Sequence, residues 1–476
     1  MKKVWWILVV SCVFDGMYGS LSRLGGMALY YPGINLREYA WIVDDPIGIG
    51  VNGSLIHRLS NEVGFEPYFS IYSGNWKDAL GYAIIRQDLF SLGVFVNDLP
   101  EPEDYLSYYP DAILVNTPNY PAGNDPEDYN TITLRDRKPW FDIVIGSQKI
   151  PFSPYIGFSL TAAAYSTNFE HIPNPVDPTK SIIHGEESAF LWKIRTGATV
   201  DLLKPFVIDA SVGVWIPSFA IQTKTTFTEI QNYKNEEKHI SEGNFGVEVR
   251  VFPKWKLSPR LEWKNMLSYR YLNLNSTHTV TMDLNGDGDF VDAGELKSRN
   301  THPYSVQQIE VGTGITYSEG NLIAFGSLNN LTLLSSEEWF TVNQSTGTDV
   351  YTDKENGSEI QNYTILNGGI ELGLKKWLSL RMGVANFYHV ETTTTSSFTY
   401  AGTTETARDT LTTFQINTML LPQLGLSIHF GGFSIDWMVS DTFIWAVIGQ
   451  GRLPYLISGN NFFDNFSFIA SIRYSF

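Results

Sequence analysis

A single cysteine in 476 residues, Cys12, leaves no intramolecular disulfide to form and no thiol pair for redox or zinc chemistry. No run of about 18 apolar residues occurs, which excludes a membrane-spanning helix. Charged residues are only 17% of the chain, and the balance is acidic, with 33 Lys and Arg against 50 Asp and Glu, a net charge of -17. Nucleic acid is therefore not expected as a partner, because phosphate binding needs clustered cations. There is no H-E-x-x-H, no nucleophile elbow and no P-loop. The eight histidines (His57, His171, His184, His239, His278, His302, His389 and His429) are scattered without metal-ligand spacing. The expectation is a protein that is not an enzyme.

What the chain does have is aromatics, at 14%, and alternation. From Asn465 to Phe476, Phe466, Phe468, Ala470, Ile472, Tyr474 and Phe476 share one parity, while Asn465, Ser467, Ser471, Arg473 and Ser475 share the other. Side chains on a strand alternate between faces, so this strand has one apolar and one polar side. The same design recurs in pairs. Phe245, Val247, Val249 and Val251 alternate with Gly246, Glu248 and Arg250; Leu366, Gly368, Ile370, Leu372 and Leu374 alternate with Asn367, Gly369, Glu371 and Gly373. Hairpins fit at 190–202 with 206–216, 245–252 with 257–271, 309–317 with 322–334, 366–374 with 378–384, and 424–430 with 433–439. Their turns fall near residues 204, 255, 319, 376 and 432, and polar stretches at 222–242, 273–305, 335–362, 391–410 and 448–464 read as long loops between them.

This pattern resembles bacterial outer-membrane β-barrels, which pair short turns on one side with long loops on the other and end on an aromatic. The expected fold is all-β, a transmembrane antiparallel up-and-down barrel of about 16 strands, within a range of 14 to 18. Six candidates in the first half (47–57, 63–72, 79–86, 90–96, 140–150 and 155–165) and eleven in the second make seventeen, one too many for an even-numbered barrel. Ile47 to His57 is the candidate to give up. Residues 98 to 139, rich in Pro, Asp and Glu, read as a long loop or partial inward fold. Lys2, Lys3 and the apolar core Val4 to Phe14 outline a secretory signal peptide over residues 1–19. Residues 20–46 then form an N-terminal segment, a candidate plug, and 47–476 the barrel. The implied location is the bacterial outer membrane, short turns periplasmic. The implied partners are outer-membrane lipid and, through the terminal strand, the barrel assembly machinery; the oligomeric state stays open.

If the apolar parity faces lipid, the polar parity faces the lumen. That places Lys193, Arg195, Asp201, Asp209, Glu248, Arg250, Arg260, Glu262, Lys264, Arg270, Glu310, Glu371, Arg381, Asp436 and Arg473 inside. Both signs are interspersed, which suits a weakly selective channel or a lumen braced by ion pairs. On this reading Val249→Arg disturbs folding and Glu248→Gln is tolerated far better.

One loop carries a chemical motif: Asp283, Asn285, Asp287, Gly288 and Asp289, followed by Asp292 and Glu295. Oxygen ligands at alternate positions around a glycine turn suit a hard cation, and the loop resembles EF-hand-type calcium loops. It departs at the end, with Gly294 at the twelfth position and Glu295 one place late. A possible calcium in an extracellular loop is the only cofactor expected. Finally, Ser22-Arg23-Leu24-Gly25-Gly26-Met27-Ala28, Asp44-Asp45-Pro46 and Asn52-Gly53 are similar to the start of barrels of the fatty-acid-transporter and PorV type, with Asn52-Gly53-Ser54 in place of that group's N-P-A-like step. That resemblance implies an N-terminal segment tucked into the barrel and roles from hydrophobic-compound uptake to secretion support. Two functions stay open: a channel or uptake barrel for small solutes or hydrophobic compounds, and a closed structural or binding barrel.

Overall fold

In the computed structural model, the described residues are 27, 41–50, 52–69, 76–96, 129–137, 141–171, 181–203, 205–227, 234–283, 285, 287, 289, 291–292, 295–343, 350–401, 404–439 and 468–476. The signal-peptide residues, most of 20–40 and the stretch 448–464 lie outside them.

Strands dominate because alternating β-branched and aromatic residues suit a pleated surface with one face in an apolar medium. In chain order they are β1 (Glu62–Phe69), β2 (Trp76–Arg86), β3 (Ser91–Val96), β4 (Tyr129–Arg137), β5 (Phe141–Gly146), β6 (Tyr155–His171), β7 (Ser181–Leu203), β8 (Phe206–Phe227) and β9 (Lys234–Ser241). They continue with β10 (Phe245–Ser258), β11 (Leu261–Asp283), β12 (Leu296–Glu319), β13 (Leu322–Asn343), β14 (Val350–Lys375), β15 (Leu378–Ala401), β16 (Thr404–Phe430), β17 (Phe433–Val439) and β18 (Phe468–Ser475). All pairings are antiparallel, and β18 pairs with β1, Glu62 opposite Ser475, so the sheet closes. The 18 segments make a ring of 16 walls. β4 and β5 lie one after the other along β6, and β9 and β10 lie one after the other between β8 and β11. The fold is a closed barrel of the outer-membrane kind, with the strand count expected.

The parity expectation holds on the wall. Val247, Val249, Val212, Val214, Ile194, Val311, Leu366 and Met382 are among the exposed apolar residues, while Lys193, Glu248, Arg250, Glu310, Arg381 and Asp436 are buried. Burial is inverted relative to a water-soluble sheet because lipid is the outer solvent. Trp255 stacks on Trp263 at 6.3 Å and meets Phe206 at 5.7 Å near the short turns; Phe433, Tyr474 and Phe476 continue that belt. Ten residues along β10, Phe245 meets Tyr271 at 5.8 Å. Ten residues at ~3.4 Å with a tilt of about 40° span roughly 26 Å, the height of the apolar band of such barrels. The two aromatic levels mark its edges.

Four expectations need correction. The barrel start expected at residue 47 moves to Glu62: residues 47–57, the strand candidate given up, hold the short 3-10 helices Pro46–Ile49 and Gly53–His57 instead. Pro46 opens the first turn, and the Asn52 side chain caps the second by accepting from Ser54 N at 3.2 Å. The turn expected at residue 255 lies at 259–260, because Lys254, Trp255 and Lys256 still pair with Lys264, Trp263 and Glu262. Within 98–139, Tyr129–Arg137 is strand, its Thr131, Ile132, Thr133 and Leu134 outweighing the acidic neighbours.

The fourth correction concerns the polar stretches read as loops. They are mostly wall: β11 and β12 pair up to Met282 opposite Leu296, and β15 and β16 up to Ala401 opposite Thr404. These rows are mostly polar, with exceptions such as Leu411 and Phe414, because they stand beyond the apolar band, and threonine keeps them extended. Cross-strand hydroxyl pairs such as Thr394 with Thr412 at 3.3 Å and Ser396 with Thr410 at 3.2 Å replace the apolar contacts.

Val249 is six residues from Trp255, roughly 15 Å up the axis and near the middle of the band. Val249→Arg is expected to cost about 2–4 kcal/mol of folding stability in lipid vesicles. Val291→Arg, on a loop where the valine is 66% exposed, is expected to cost nothing measurable. Urea titrations of both variants in the same vesicles make the comparison; equal loss would mean that Val249 does not face lipid.

Candidate functional site: the lumen and the acidic loop

The lumen has two unlike sides. On β7, β8, β10 and β11 the inward parity is charged. Glu248 lies 3.0 Å from Lys193, 3.4 Å from Arg250 and 3.6 Å from Arg270, so one buried carboxylate serves three cations. Lys193 also sits 3.8 Å above the ring of Trp215, which is fully buried, and Arg270 lies 5.6 Å from the same ring. Arg195 pairs with Asp142 at 2.5 Å. A second knot lies toward the seam: Arg381 bonds Asp436 at 2.6 Å and Glu371 at 2.7 Å, and Arg473 reaches Asp436 at 3.0 Å. On β2, β3, β5 and β6 the inward parity carries Ser91, Asp142 and Ser159 but also an apolar group: Tyr82, Ile84, Phe95, Val144 and Tyr155 form one buried cluster with Ile49, Leu55 and Ile56.

That cluster includes residues from before the first strand. Residues 41–58 lie inside the ring, and no strand ladder pairs them among the described residues. Side chains hold them. Lys264 Nζ donates to the Ile42 carbonyl at 2.9 Å and pairs with Asp44 at 3.2 Å; Thr316 Oγ1 donates to the same carbonyl at 2.9 Å. Trp41 Nε1 donates to Asn329 Oδ1 at 3.1 Å. Arg58 and Asn52 both donate to Asp209, which Lys254 also approaches at 2.8 Å. Gly312 and Gly314 leave the space that Trp41 and Ile42 fill; a Cβ there would stand 2.6 and 2.7 Å from them. Confinement pushes the Asp44 carboxyl up, but Lys264, Lys254 and Arg58 outweigh that and hold it below the usual carboxylate range.

Most residues expected in the lumen are there. Asp201 and Arg260 are exceptions: both are exposed at the short-turn end, and Arg260 pairs with Glu319 at 2.7 Å across the turn. Glu262, with its side chain 42% exposed, faces the mouth. Sequence reading missed Asp142 and Trp215, although both stand on the polar parity of their strands. It also took Glu248 for a replaceable lumen residue, whereas it is 3% exposed and shared by three cations.

His184 Nε2 lies 3.0 Å from Glu186, and two histidines of the inner wall face hydroxyl or ring partners. His429 Nε2 lies 3.1 Å from Ser379 Oγ and its Nδ1 lies 2.8 Å from Ser434 Oγ, while His389 stacks on Tyr363 at 4.2 Å. A hydroxyl on Nδ1 orients the His429 ring without the carboxylate that would stabilise an imidazolium.

The acidic loop gathers all six residues singled out for it. Oxygens of Asp283, Asp287 and Glu295 lie within 4.8 Å of one another, as do those of Asp287, Asp289 and Asp292. Asn285 braces the turn: its Oδ1 accepts from Asp287 N at 2.8 Å and its Nδ2 donates to Asp292 at 2.5 Å. Asp287 and Asp289 accept in turn from Asp289 N and Val291 N, and Glu295 accepts from Asp292 N at 3.2 Å. Like charges gathered this closely on oxygen donors alone fit a hard divalent cation.

No protein-family model and no curated protein matches the chain. Among solved structures, it is similar to the Ralstonia pickettii toluene transporter TbuX at 10% identity, over 98% of this chain and 100% of that one, with a TM-score of 0.33. It is similar to the CymD monoaromatic hydrocarbon channel at 8% identity, over 98% of each, with a TM-score of 0.32. It is also similar to the translocator domain of the autotransporter NalP from Neisseria meningitidis at 10% identity, over 68% of this chain and 88% of that one, with a TM-score of 0.22. The assignment of fold stands on the closed ring itself.

Removing one partner of a buried ion pair leaves the others unmatched and costs about 3–5 kcal/mol. Glu248→Gln is therefore expected to lower barrel stability by that order, and Glu248→Gln with Lys193→Met to recover part of it. A urea-unfolding double-mutant cycle in vesicles measures the coupling; additive losses would mean that Glu248 and Lys193 do not act as a pair.

Proposed function

We propose that this barrel is an outer-membrane uptake channel for small solutes or hydrophobic compounds, and that residues 41–58 close its lumen as a displaceable plug. The observation that carries the reading is how that segment is held. Side chains and apolar contacts bind it, with no ladder pairing among the described residues, so it is free to leave without opening the wall. The apolar cluster behind it, from Tyr82 to Tyr155, offers an oily strip on one side of an otherwise charged lumen. The resemblance of Ser22–Ala28, Asp44–Pro46 and Asn52–Gly53 to the starts of fatty-acid-transporter and PorV type barrels is in keeping with this reading.

Single-channel recording in planar bilayers tests the proposal. The parent protein is expected to open rarely, and Arg58→Ala with Lys264→Met to open more often. Asp44 adds a pH dependence. Its carboxyl is held below its ordinary value, so its contribution to docking is complete above about pH 4 and is lost as pH falls further. Openings should therefore increase below that pH. Silence of both folded proteins at every pH would favour a closed structural or binding barrel.

The acidic loop is proposed to take calcium on the far side of the wall from the short turns. Extracellular sites of this kind bind at about 0.1–1 mM. Millimolar calcium is expected to protect residues 273–305 from proteolysis, and Asp283→Ala with Asp287→Ala to abolish the protection. Cleavage unaffected by calcium in the parent protein would leave only a solvated acidic loop.

A further inference from the structure

The junction between β9 and β10 holds a one-residue bulge. β10 faces β8 with Gly246 opposite Trp215, and β9 faces it with Ile240 opposite Ala220, so Ile216 to Phe219 span four residues where the other strand uses five. The neighbour on the other side agrees: Leu274 and Asn275 stand opposite Glu242, Gly243 and Asn244. Gly243 has φ +63°, Glu242 N donates to Asn275 O at 2.8 Å, and Asn275 N donates to Asn244 Oδ1 at 2.6 Å. An extra residue reverses the parity of everything beyond it. On β10 the odd residues Phe245, Val247 and Val249 face outward; on β9 the outward residue is Ile240, 44% exposed, and with it Lys238 and Glu236.

The register then places them in two adjacent rows on the outer face. One row reads Gln222, Lys238, Thr279 and Arg299; the next reads Lys224, Glu236, Thr281 and Lys297. Eight positions on β8, β9, β11 and β12 thus carry four cations and one carboxylate, in a chain whose net charge is -17. Lys224 and Lys238 approach the same oxygen of Glu236, at 3.4 and 3.1 Å, and their side chains are 55% and 43% exposed. Without the bulge, Lys238 and Glu236 would both point inward, and Lys224 would lose Glu236 from the position opposite it.

Height selects the partner. On unbulged β11 the partners of Lys238 and Phe245, Thr279 and Asn273, are six residues apart, so Lys238 stands roughly 16 Å above the Phe245 edge of the apolar band at the same rise and tilt. The headgroup zone of an ordinary phospholipid leaflet adds only about 5–8 Å to the hydrocarbon core on each side. A cation at this height meets lipid only if the headgroup is a long one. We propose that Lys224, Lys238, Lys297 and Arg299 bind the phosphorylated saccharide of an outer-leaflet glycolipid, continuing the lipid contact above the aromatic level. The proposal rests on the reading of the barrel as an outer-membrane protein.

The test uses the full-length barrel refolded in phosphatidylcholine vesicles containing rough lipopolysaccharide, either intact or enzymatically dephosphorylated. Glycolipid retained per barrel after gentle detergent extraction is counted by native mass spectrometry. Lys224→Gln with Lys238→Gln is expected to insert as well as the parent but to bind roughly thirtyfold more weakly, the attraction of two lysines beside an anionic surface. Lys238→Arg should keep binding, and dephosphorylated glycolipid should bind the parent no better than it binds the double variant. Equal retention by parent and double variant, or indifference to dephosphorylation, overturns the proposal. Displacement by millimolar inorganic phosphate also overturns it, marking a site for small anions. Failure of the parent to insert at all is a separate outcome, and it removes the membrane reading together with this one.

Discussion

Every backbone amide in the spanning part of this chain has to find its partner within the protein, because hydrocarbon offers none. The antiparallel ladders satisfy that demand along each wall, and the pairing of Glu62–Phe65 with Ile472–Ser475 satisfies it at the seam. Closure fixes everything else. It makes one face of each strand a lipid face and the other a lumen face, so apolar residues such as Val249 and Met382 stand exposed while Arg250 and Arg381 are buried.

The enclosed charges then need partners, since an unpaired buried charge costs several kcal/mol. Sharing meets the need with few acids: Glu248 serves Lys193, Arg250 and Arg270, Asp436 serves Arg381 and Arg473, and Asp209 serves Arg58 and Lys254. The last of these joins wall to segment 41–58, so lumen electrostatics and lumen occupancy are one problem. The other side of the lumen solves it with apolar contact around Tyr82, Phe95 and Tyr155.

That division explains what was legible in the sequence. Strands whose inward face meets charge and water, such as β10 and β14, alternate cleanly, and their hairpins were readable. On β2, β3 and β5 the inward residues Ile84, Phe95 and Val144 pack on protein and are as apolar as the outward ones, so the period blurs although Ser91 and Asp142 share their parity. Residues 47–57 alternate like a strand, yet Pro46 and the Asn52 cap turn them into helical turns. The height of the wall was hidden for the opposite reason. Beyond the apolar band both faces are mostly polar, and polarity alone reads as loop, although Thr392 to Thr395 and Thr410 to Thr413 favour extended backbone. The acidic loop was readable as a motif because its ligand types fall within a few residues of one another; the ties of Asp44 to Lys264 and Trp41 to Asn329 span more than 200 residues and leave no local trace.

Nearly all of the ring consists of neighbours in sequence, and only the seam joins distant parts, Glu62 to Ser475. Hairpins therefore form early and cheaply, whereas the seam must close a loop of about 400 residues, roughly 3 kcal/mol dearer in chain entropy than a 20-residue hairpin. The described seam pairs four rows on one side, while β11 and β12 pair over 22. Assembly of this barrel should end, and mechanical or thermal failure should begin, at the same short zip between its first and last strands.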